Sequence, residues 1–199
     1  SKFDSWWGHK KIMTLPNEIK NILQKLSEAG YEGYAVGGCV RDLLLGKEPK
    51  DWDVTTDASP EEIQKVFPDN FYENKFGTVT AKTGSEDASL KEIEITPYRV
   101  ESEYKDKRHP EEVTFVKKLD EDLSRRDFTV NAMAMDKDGK VIDLFGGESD
   151  LDNKLVRTVG EPAKRFGEDA LRMLRAIRFT ATLDFEIEKQ TLSELKNNS

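Results

Sequence analysis

Apolar residues near the start of the chain recur at the spacing of a helix. They lie three or four residues apart, on one side of a helix: Ile19, Ile22, Leu23 and Leu26. Pro16 stands where the first turn of a helix tolerates proline, and Gly30 follows the last apolar position. This pattern predicts an amphipathic helix that packs against the rest of the protein.

Alternation replaces the helical period further along the chain. Residues 33–36 and 51–56 have the composition of two strands, and a helix is expected to begin at the glycine pair between them. The runs 78–83 and 92–96 alternate on either side of a polar turn, which predicts a hairpin. In the second run the isoleucines face the core, so that Glu94 points to the opposite face.

The pattern changes after residue 147. A last short strand is predicted at 141–144, and beyond it we expect helices and no further strands. Glu161 and Pro162 open a predicted helix of about twenty residues, with proline in its first turn. An apolar stripe and three arginines lie side by side on this helix: Leu171, Leu174 and Ile177, with Arg172, Arg175 and Arg178.

Between the hairpin and this helix the chain is largely polar. Residues 98–110 have no regular pattern and predict a loop, long enough to act as a lid over a binding site. The arginines, lysines and tyrosines of this loop could contact phosphate or bases. A short strand is expected at 113–116. Residues 125–134 place two adjacent arginines, an aspartate and an asparagine in what we expect to be one compact polar turn.

Composition narrows the classes of function. Charged residues make up 35% of the chain and apolar residues 36%, a balance typical of a water-soluble protein. No stretch approaches the ~20 apolar residues of a membrane span and no signal-peptide core is present, so we expect a cytoplasmic protein without a membrane partner. One cysteine and two histidines exclude an internal disulfide and a Cys/His zinc site. Any metal is therefore expected to be bound by oxygen.

The net charge of −8 is only a weak objection to a nucleic-acid partner. Residues 154–178 contain seven Lys or Arg side chains against three Asp or Glu, so that the acidic protein carries a basic segment. The sequence leaves the oligomeric state open.

Candidate chemistry is concentrated in residues 37–56. Gly37 and Gly38 let the backbone approach a phosphate, and the helix start behind them presents free N–H groups to an anion. An ordinary tight turn is the alternative. Asp51 and Asp53 point to the same side of a predicted strand, with Cα atoms ~6.6–6.8 Å apart, which suits one or two hard cations, although such pairs are common at strand ends. Together the two features predict a site for a nucleoside triphosphate.

The predicted helix after residue 161 carries a second candidate. Glu168, Asp169 and Arg172 have the spacing of surface ion pairs, which is the simplest interpretation of them. Positions 172, 175 and 178 drift by only ~60° per step on a helix, so the three arginines share one broad face. Like charges there are unfavourable unless anions bind, as a triphosphate or an RNA backbone would.

Four motifs in order make the chain similar to a known family: GGCVRDLLLGKEPKDWDVTT, EIEITPYR, RRDFTVNAMA and EDALRMLRAIRF. Over residues 15–183 the chain resembles the bacterial class II tRNA nucleotidyltransferases, the CCA-adding enzymes of the polymerase-beta-like superfamily, which also include bacterial poly(A) polymerases. The resemblance implies an α+β fold, with a nucleotidyltransferase head containing a mixed sheet and flanking helices at 15–147. A truncated α-helical neck that selects the nucleotide would follow at 148–199. Residues 1–14 would be an extension or an artificial remnant.

The resemblance also implies roles for individual residues. Asp51 and Asp53 would be Mg²⁺ ligands and, with Glu94, catalytic. The other residues would bind the nucleotide: Gly37, Gly38, Arg41, Arg125, Arg126, Asp127, Asn131, Glu168, Asp169, Arg172, Arg175 and Arg178. The implied reaction adds C, C and A to the 3′ end of tRNA from CTP and ATP by two-metal nucleotidyl transfer, with release of pyrophosphate.

Related activities remain as alternatives. A-adding enzymes, CC-adding enzymes and poly(A) polymerases share these head motifs, although the full length of the loop at 98–110 favours CCA addition. Family members carry body and tail domains that grip the tRNA. A nucleotide-binding fragment with little turnover, lacking those domains, is the alternative of a different class.

The chemistry of base selection follows from the residue types. Cytosine and adenine both present an exocyclic amino donor beside a ring-nitrogen acceptor, which a carboxylate at Asp169 and a guanidinium at Arg172 satisfy in one arrangement. Uracil and guanine present a carbonyl and an N–H there, which would oppose acceptor to acceptor and donor to donor. The pair therefore predicts a protein template for C and A.

Overall fold

The computed structural model describes residues 14–73, 77–101 and 113–198. Residues 1–13 of the predicted extension and 102–110 of the predicted loop lie outside this range. In the described part the helices are α1 Asn17–Glu28, α2 Gly38–Leu44, α3 Pro60–Val66, α4 Leu119–Ser124, α5 Gly147–Asp152, α6 Pro162–Glu168, α7 Leu171–Leu183 and α8 Lys189–Asn197. The strands are β1 Gly33–Val36, β2 Asp53–Thr56, β3 Asn70–Glu73, β4 Thr78–Lys82, β5 Glu92–Pro97, β6 Arg99–Glu101, β7 Val113–Phe115, β8 Met133–Met135, β9 Val141–Asp143, β10 Leu155–Val156 and β11 Glu186–Ile187.

A seven-stranded sheet in the order β3-β4-β5-β2-β1-β8-β9 organises the molecule. The β2–β5 pair is parallel, and the other neighbours in this sheet are antiparallel. The predicted mixed sheet with flanking helices is thus confirmed. β1 and β2 lie at its centre, so the glycine turn that follows β1 and the carboxylates at the start of β2 lie close together.

The main hydrophobic core contains the predicted face of α1. Its four predicted apolar positions are buried, and they belong to one cluster with Trp52 and Ile93. Full burial of such side chains stabilises the fold by ~1.5–3 kcal/mol each. Cys39 lies in the same cluster, and burial raises the pKa of its thiol to about 11, so it acts as a small packing residue. Among the described residues, no helix is long and apolar enough to cross a membrane.

The predicted hairpin is confirmed, and its two faces are as expected. β4 and β5 pair antiparallel, Ile93 and Ile95 are fully buried, and Glu94 between them is exposed. The strand predicted at 51–56 begins only at Asp53, because Asp51 lies in a bend before it. The alternation nevertheless holds, since Trp52 is buried while both aspartates are exposed.

The compact polar turn predicted at 125–134 ends earlier than expected. Residues 133–135 form β8, which pairs with β1 inside the sheet. Met133 and Met135 are fully buried, and so is the alanine between them. A strand that is buried on both faces has no alternation to detect.

Two expectations about the chain after residue 147 are wrong. Strands continue there, because β10 and β11 form a parallel pair. The predicted helix of about twenty residues is two helices, α6 and α7, with an extended residue at Asp169 between them (φ −141°, ψ 111°). The Asp169 carboxylate accepts a hydrogen bond from the backbone N–H of Leu171 at 2.8 Å, and such local bonds compete with a continuous helix.

The predicted loop at 98–110 contains a strand at its start. β6 pairs with β7 in a separate two-stranded sheet, which also confirms the strand expected near 113–116. Tyr98 is fully buried, and its hydroxyl donates to Glu32 at 3.1 Å. Tyr98 is therefore not a phosphate or base contact.

Candidate nucleotide-binding and catalytic site

The glycine turn joins β1 to α2 in a conformation that a side chain would strain. Gly37 has φ +82° and ψ −130°, and its N–H donates to the Met133 carbonyl at 3.2 Å. A Cβ at Gly37 would lie 3.1 Å from Nη1 of Arg126. Glycine at this position thus lets the turn and a guanidinium approach each other closely.

The acidic side of the site lies at the start of β2. Asp53 is in register with Glu94 of the neighbouring parallel strand β5, so the strand of the third predicted carboxylate does lie beside the first two. Asp51 and Asp53 line a large cleft, whereas Glu94 lines only a smaller adjoining cavity of about 220 Å³, together with Asp53. Asp53 is thus the carboxylate common to both spaces.

The electrostatic surroundings of Asp53 suit a bound cation. Asp53 is exposed to the cleft, but the surrounding protein excludes part of the water around its carboxyl. This desolvation raises the pKa of the carboxyl, the charge of Arg126 lowers it, and repulsion from Asp51 raises it, with a net increase. A bound divalent cation would attract the ionised carboxylate and so offset both the cost of its desolvation and its repulsion from Asp51. In the described part of the chain no three Asp, Glu, His or Cys side chains form a metal cluster. A pair of carboxylates fits a divalent cation that binds one or two carboxylates and takes its other ligands from water and substrate phosphates.

The large cleft has a volume of about 1050 Å³ and collects most of the predicted site. Nine Lys or Arg side chains line it against six Asp or Glu, so an acidic protein has a predominantly basic cleft. Of the fifteen predicted residues, thirteen line it: Gly37, Gly38, Arg41, Asp51, Asp53, Arg125, Arg126, Asp127, Asn131, Asp169, Arg172, Arg175 and Arg178. Glu94 and Glu168 do not.

Arg125 and Arg126 are held by a carboxylate that the sequence did not indicate. Asp122 in α4 is fully buried, and its Oδ1 accepts from Nη2 of Arg125 at 2.8 Å, while its Oδ2 accepts from Nη2 of Arg126 at 3.0 Å. Burial opposes ionisation of Asp122, but Arg126 and Arg125 outweigh it and lower its pKa. The i,i+3 and i,i+4 spacing was present in the sequence, but two other acidic residues stand beside Asp122.

A chain of hydrogen bonds joins the glycine helix to α7. Nη1 of Arg41 donates to Oδ1 of Asn131 at 2.7 Å, and the Asn131 amide donates to Asp127 at 3.3 Å. The second oxygen of Asp127 accepts from Nε of Arg175 at 2.6 Å. Four predicted residues, from three separate motifs, thus form one network.

The residues predicted to select the base lie at the break between α6 and α7, where contacts with other residues hold them in place. Arg172 is buried, and its Nη1 donates to Glu168 at 2.6 Å while its Nη2 donates to the Arg125 carbonyl at 3.3 Å. Glu168 also accepts from Arg165 at 2.8 Å, so it supports Arg172 from outside the cleft. The anions expected to offset the arginine row are therefore in part carboxylates of the protein itself, Glu168 for Arg172 and Asp127 for Arg175.

Nine further residues line the cleft, and two of them, Arg99 and Phe179, bear most on its charge. Arg99 lies at the start of the predicted loop, whose arginines were expected as possible phosphate or base contacts, and it lines both spaces. Phe179 lines the cleft and its ring contacts Arg41, Arg175 and Arg178. Only the spacing between Arg175 and Phe179, one turn apart on a helix, was visible in the sequence.

Known proteins are similar to the chain over most of its length. A family model described as the poly A polymerase head domain matches residues 33–157. The CCA-adding enzyme of Lactobacillus helveticus is 52% identical over 192 residues, which cover 94% of this chain and 47% of that protein. The chain therefore spans about half the length of this relative.

Solved structures agree with this similarity. The Bacillus stearothermophilus CCA-adding enzyme in complex with CTP matches with a TM-score of 0.82 and 40% identity, covering 92% of this chain and 44% of the other. The Thermotoga maritima CCA-adding enzyme complexed with tRNA matches with a TM-score of 0.70 and 32% identity, covering 92% and 41%. Since the family model spans more than half of the sequence, the chain belongs to the poly A polymerase head domain family.

Proposed function

We propose that the chain is the catalytic part of a tRNA nucleotidyltransferase that adds C, C and A to the 3′ end of tRNA from CTP and ATP. The observation that carries this proposal is the single cleft that brings together the glycine turn, the two aspartates, the arginines and the Asp169–Arg172 pair. The similar proteins whose structures contain CTP or tRNA support the choice of substrates.

The two aspartates are proposed to hold the metal. Asp51 and Asp53 would bind two Mg²⁺ ions, which when bound activate the tRNA 3′-hydroxyl and neutralise the departing pyrophosphate. Glu94 lies one strand further along and borders the smaller cavity with Asp53. We assign Glu94 the role of the third catalytic carboxylate.

The triphosphate is proposed to lie against the glycine turn. Gly37 and Gly38 present backbone to the cleft, and Arg41 and Arg126 stand on either side of it with their charges directed to the same space. Preorganised donors of this kind stabilise charge that develops on the leaving group without reorganisation during the reaction. Arg125, Asp127 and Asn131 are proposed to line the sugar and phosphates, with Arg175 and Arg178 near the phosphates.

The base is proposed to pair with Asp169 and Arg172. The Arg172 guanidinium is fixed by Glu168 and two backbone carbonyls, and the Asp169 carboxylate is oriented by the N–H of Leu171. A rigid carboxylate–guanidinium pair accepts cytosine and adenine and rejects uracil and guanine, because the latter reverse the donors and acceptors.

The domain boundaries of the chain and its cellular location are part of the same proposal. Residues 15–147 would form the head and 148–199 the neck, with residues 1–14 as an extension. Because tRNA maturation in bacteria takes place in the cytoplasm, this is the proposed location.

The proposal is tested by incubating the protein with Mg²⁺, labelled CTP or ATP, and three tRNA transcripts that end at the discriminator base, after CC and after CCA. We expect CTP to extend the first transcript, ATP to extend the second, and the double variant Asp51→Ala/Asp53→Ala to extend neither. Triphosphate binding without extension would support the nucleotide-binding fragment instead. Extension by A alone, by CC alone or by many A residues would identify an A-adding enzyme, a CC-adding enzyme or a poly(A) polymerase, respectively.

A further inference from the structure

Phe179 lies among three arginines of the cleft that come from two distant parts of the chain. The Cζ atoms of Arg41 in α2 and of Arg175 and Arg178 in α7 lie 5.4, 5.6 and 5.4 Å from the centre of its ring. All three distances are within the range in which the π face of an aromatic ring attracts a cation. One phenyl ring therefore contacts the three guanidinium groups at once.

The ring itself is held in place. Phe179 is 6% exposed, and Phe128 meets it edge to face with centroids 5.7 Å apart and an interplanar angle of 86°. Phe128 belongs to the segment between α4 and β8, which also carries Asp127 and Asn131. The Phe179 ring thus packs against the same segment whose side chains accept hydrogen bonds from Arg41 and Arg175.

An aliphatic side chain at this position would fill the same space but could not supply the same attraction. Three positive charges in one cleft repel one another, and the negative face of an aromatic ring offsets part of this repulsion. Asp42 pairs with Arg41, and Asn131 and Asp127 link Arg41 to Arg175 by hydrogen bonds, but none of these side chains is a common group that contacts all three arginines. Phe179 is such a common group.

We propose that Phe179 is a positioning residue that sets the mutual placement of Arg41, Arg175 and Arg178 for binding a polyphosphate. The proposal rests on the proposed function in that a nucleoside triphosphate is the expected ligand. It adds that the helix bearing the base-selecting Arg172 also sets the phosphate-binding arginine of α2 through one aromatic ring.

The matched control is Phe185, which is also 6% exposed and belongs to the same hydrophobic core but does not line the cleft. Three variants are compared with the wild type: Phe179→Leu, Phe179→Tyr and Phe185→Leu. Phe179→Leu removes the ring, Phe179→Tyr keeps a π face, and Phe185→Leu removes an equally buried ring elsewhere. If Phe179→Leu does not fold, Phe179→Met takes its place.

The first measurement needs no nucleotide. Proton and nitrogen NMR signals of the arginine Nε–H groups are recorded, because ring currents shift the signals of guanidinium groups near an aromatic face. We expect Phe179→Leu to move the signals of Arg41, Arg175 and Arg178, and Phe185→Leu to leave them in place. Unchanged signals in Phe179→Leu would overturn the proposal.

The second measurement is the affinity for CTP and for inorganic tripolyphosphate by calorimetry. We expect Phe179→Leu to weaken both about tenfold, since each lost cation–π contact reduces binding a few-fold. Phe179→Tyr is expected to restore both affinities, and Phe185→Leu to lower the melting temperature alone. Equal losses in the two leucine variants would show that Phe179 is only a core residue. A wild type that binds neither ligand would refute the proposed function, and the arginine signals would then decide the positioning role alone.

Discussion

On the acidic side of the cleft, the pairing of two strands determines where the side chains lie. On the basic side, the arginines are held by contacts with other side chains. Asp53 lines the cleft and Glu94 lines the cavity that adjoins it, and the two are neighbours because β2 and β5 pair in parallel with these residues in register. Arg125 and Arg126 owe their positions to the buried Asp122, and Arg172 owes its position to Glu168. The acidic side is therefore defined by the sheet, while the basic side depends on individual contacts that single substitutions can remove.

The same difference appears in the energetics of two aspartates. The surroundings of Asp53 raise the pKa of its carboxyl, so its ionisation opposes folding, which is compatible with its proposed role as a metal ligand. Asp122 is ionised in surroundings that lower its pKa, so its charge supports folding. Functional sites commonly hold groups that a stable fold alone would not select.

The largest effect is expected on the acidic side. Asp53→Asn keeps the shape of the side chain and removes the proposed metal ligand, so we expect kcat/KM for CTP addition to fall on the order of 10³-fold or more while the protein stays folded. Steady-state kinetics and a thermal melt measure the two quantities. Glu92→Gln, on the neighbouring strand β5 and outside both cavities, is the control and should retain full activity. Activity of Asp53→Asn within tenfold of wild type would contradict the assignment.

The next largest effect is expected on the basic side and concerns stability. Asp122→Asn leaves two arginines near a neutral amide, and removing one partner of a buried ion pair destabilises a protein by about 3 kcal/mol or more. Urea unfolding followed by circular dichroism measures the change. The control is Asp120→Asn in the same helix, where the side chain is exposed and the change should stay within about 0.5 kcal/mol. Equal stability of the two variants would mean that Asp122 does not hold the arginines.

The acidic side could be predicted largely from the sequence. The alternation around Trp52 and the position of Glu94 between two isoleucines follow from the period of a strand, and both are found in the structure. The register of β2 against β5 could not be predicted from the sequence, because it depends on the pairing of strands that are far apart in the chain. The fold class was implied by the motifs, but β8 escaped prediction since burial on both faces removes its alternation.

On the basic side, the arginines could be identified from the sequence, but the contacts that hold them could not. Its arginines were identified by motif, yet Asp122 could not be distinguished from its acidic neighbours by local spacing. The contact of Phe179 with Arg41 joins residues far apart in the chain and leaves no local pattern. The break at Asp169 was missed because helical periodicity continues across it, while one side-chain hydrogen bond ends it.

A smaller effect is expected where the two sides meet. Gly37→Ala places a side chain at φ +82° and 3.1 Å from Nη1 of Arg126, so we expect a loss of about 1–2 kcal/mol in stability and weaker CTP binding. Gly46→Ala is the control, because Gly46 also has a positive φ (+69°) but open space around it. Gly46→Ala should lose stability while retaining CTP affinity. If Gly37→Ala binds CTP as tightly as wild type, the close approach of Arg126 to the turn is not needed for binding.

The smallest expected effect is the pH dependence of the Asp53 contribution to stability, measured without metal in the presence of a chelator and compared with that of Asp122. Because its folded pKa is raised, Asp53 contributes stability below its unfolded pKa and loses this contribution as pH rises through the folded pKa. Asp53→Asn should therefore be slightly more stable than wild type at pH 7, within about 0.5 kcal/mol. The gain should vanish below pH ~4, where an ordinary aspartate is protonated in the unfolded chain.

Asp122 should show the reverse sign. Its lowered pKa gives a stabilisation that is complete above the unfolded pKa and is lost as pH falls through the folded pKa. The free energy of unfolding of the wild type should therefore exceed that of Asp122→Asn most at neutral pH, and this difference should shrink in acid. In the other pair the variant Asp53→Asn should be the more stable protein, and its advantage over the wild type should also shrink in acid. Unfolding free energies at several pH values determine both curves. Curves of the same sign would mean that the two sides of the cleft do not differ in how they hold charge, and the distinction between a carboxylate kept for binding and one kept for folding would fail.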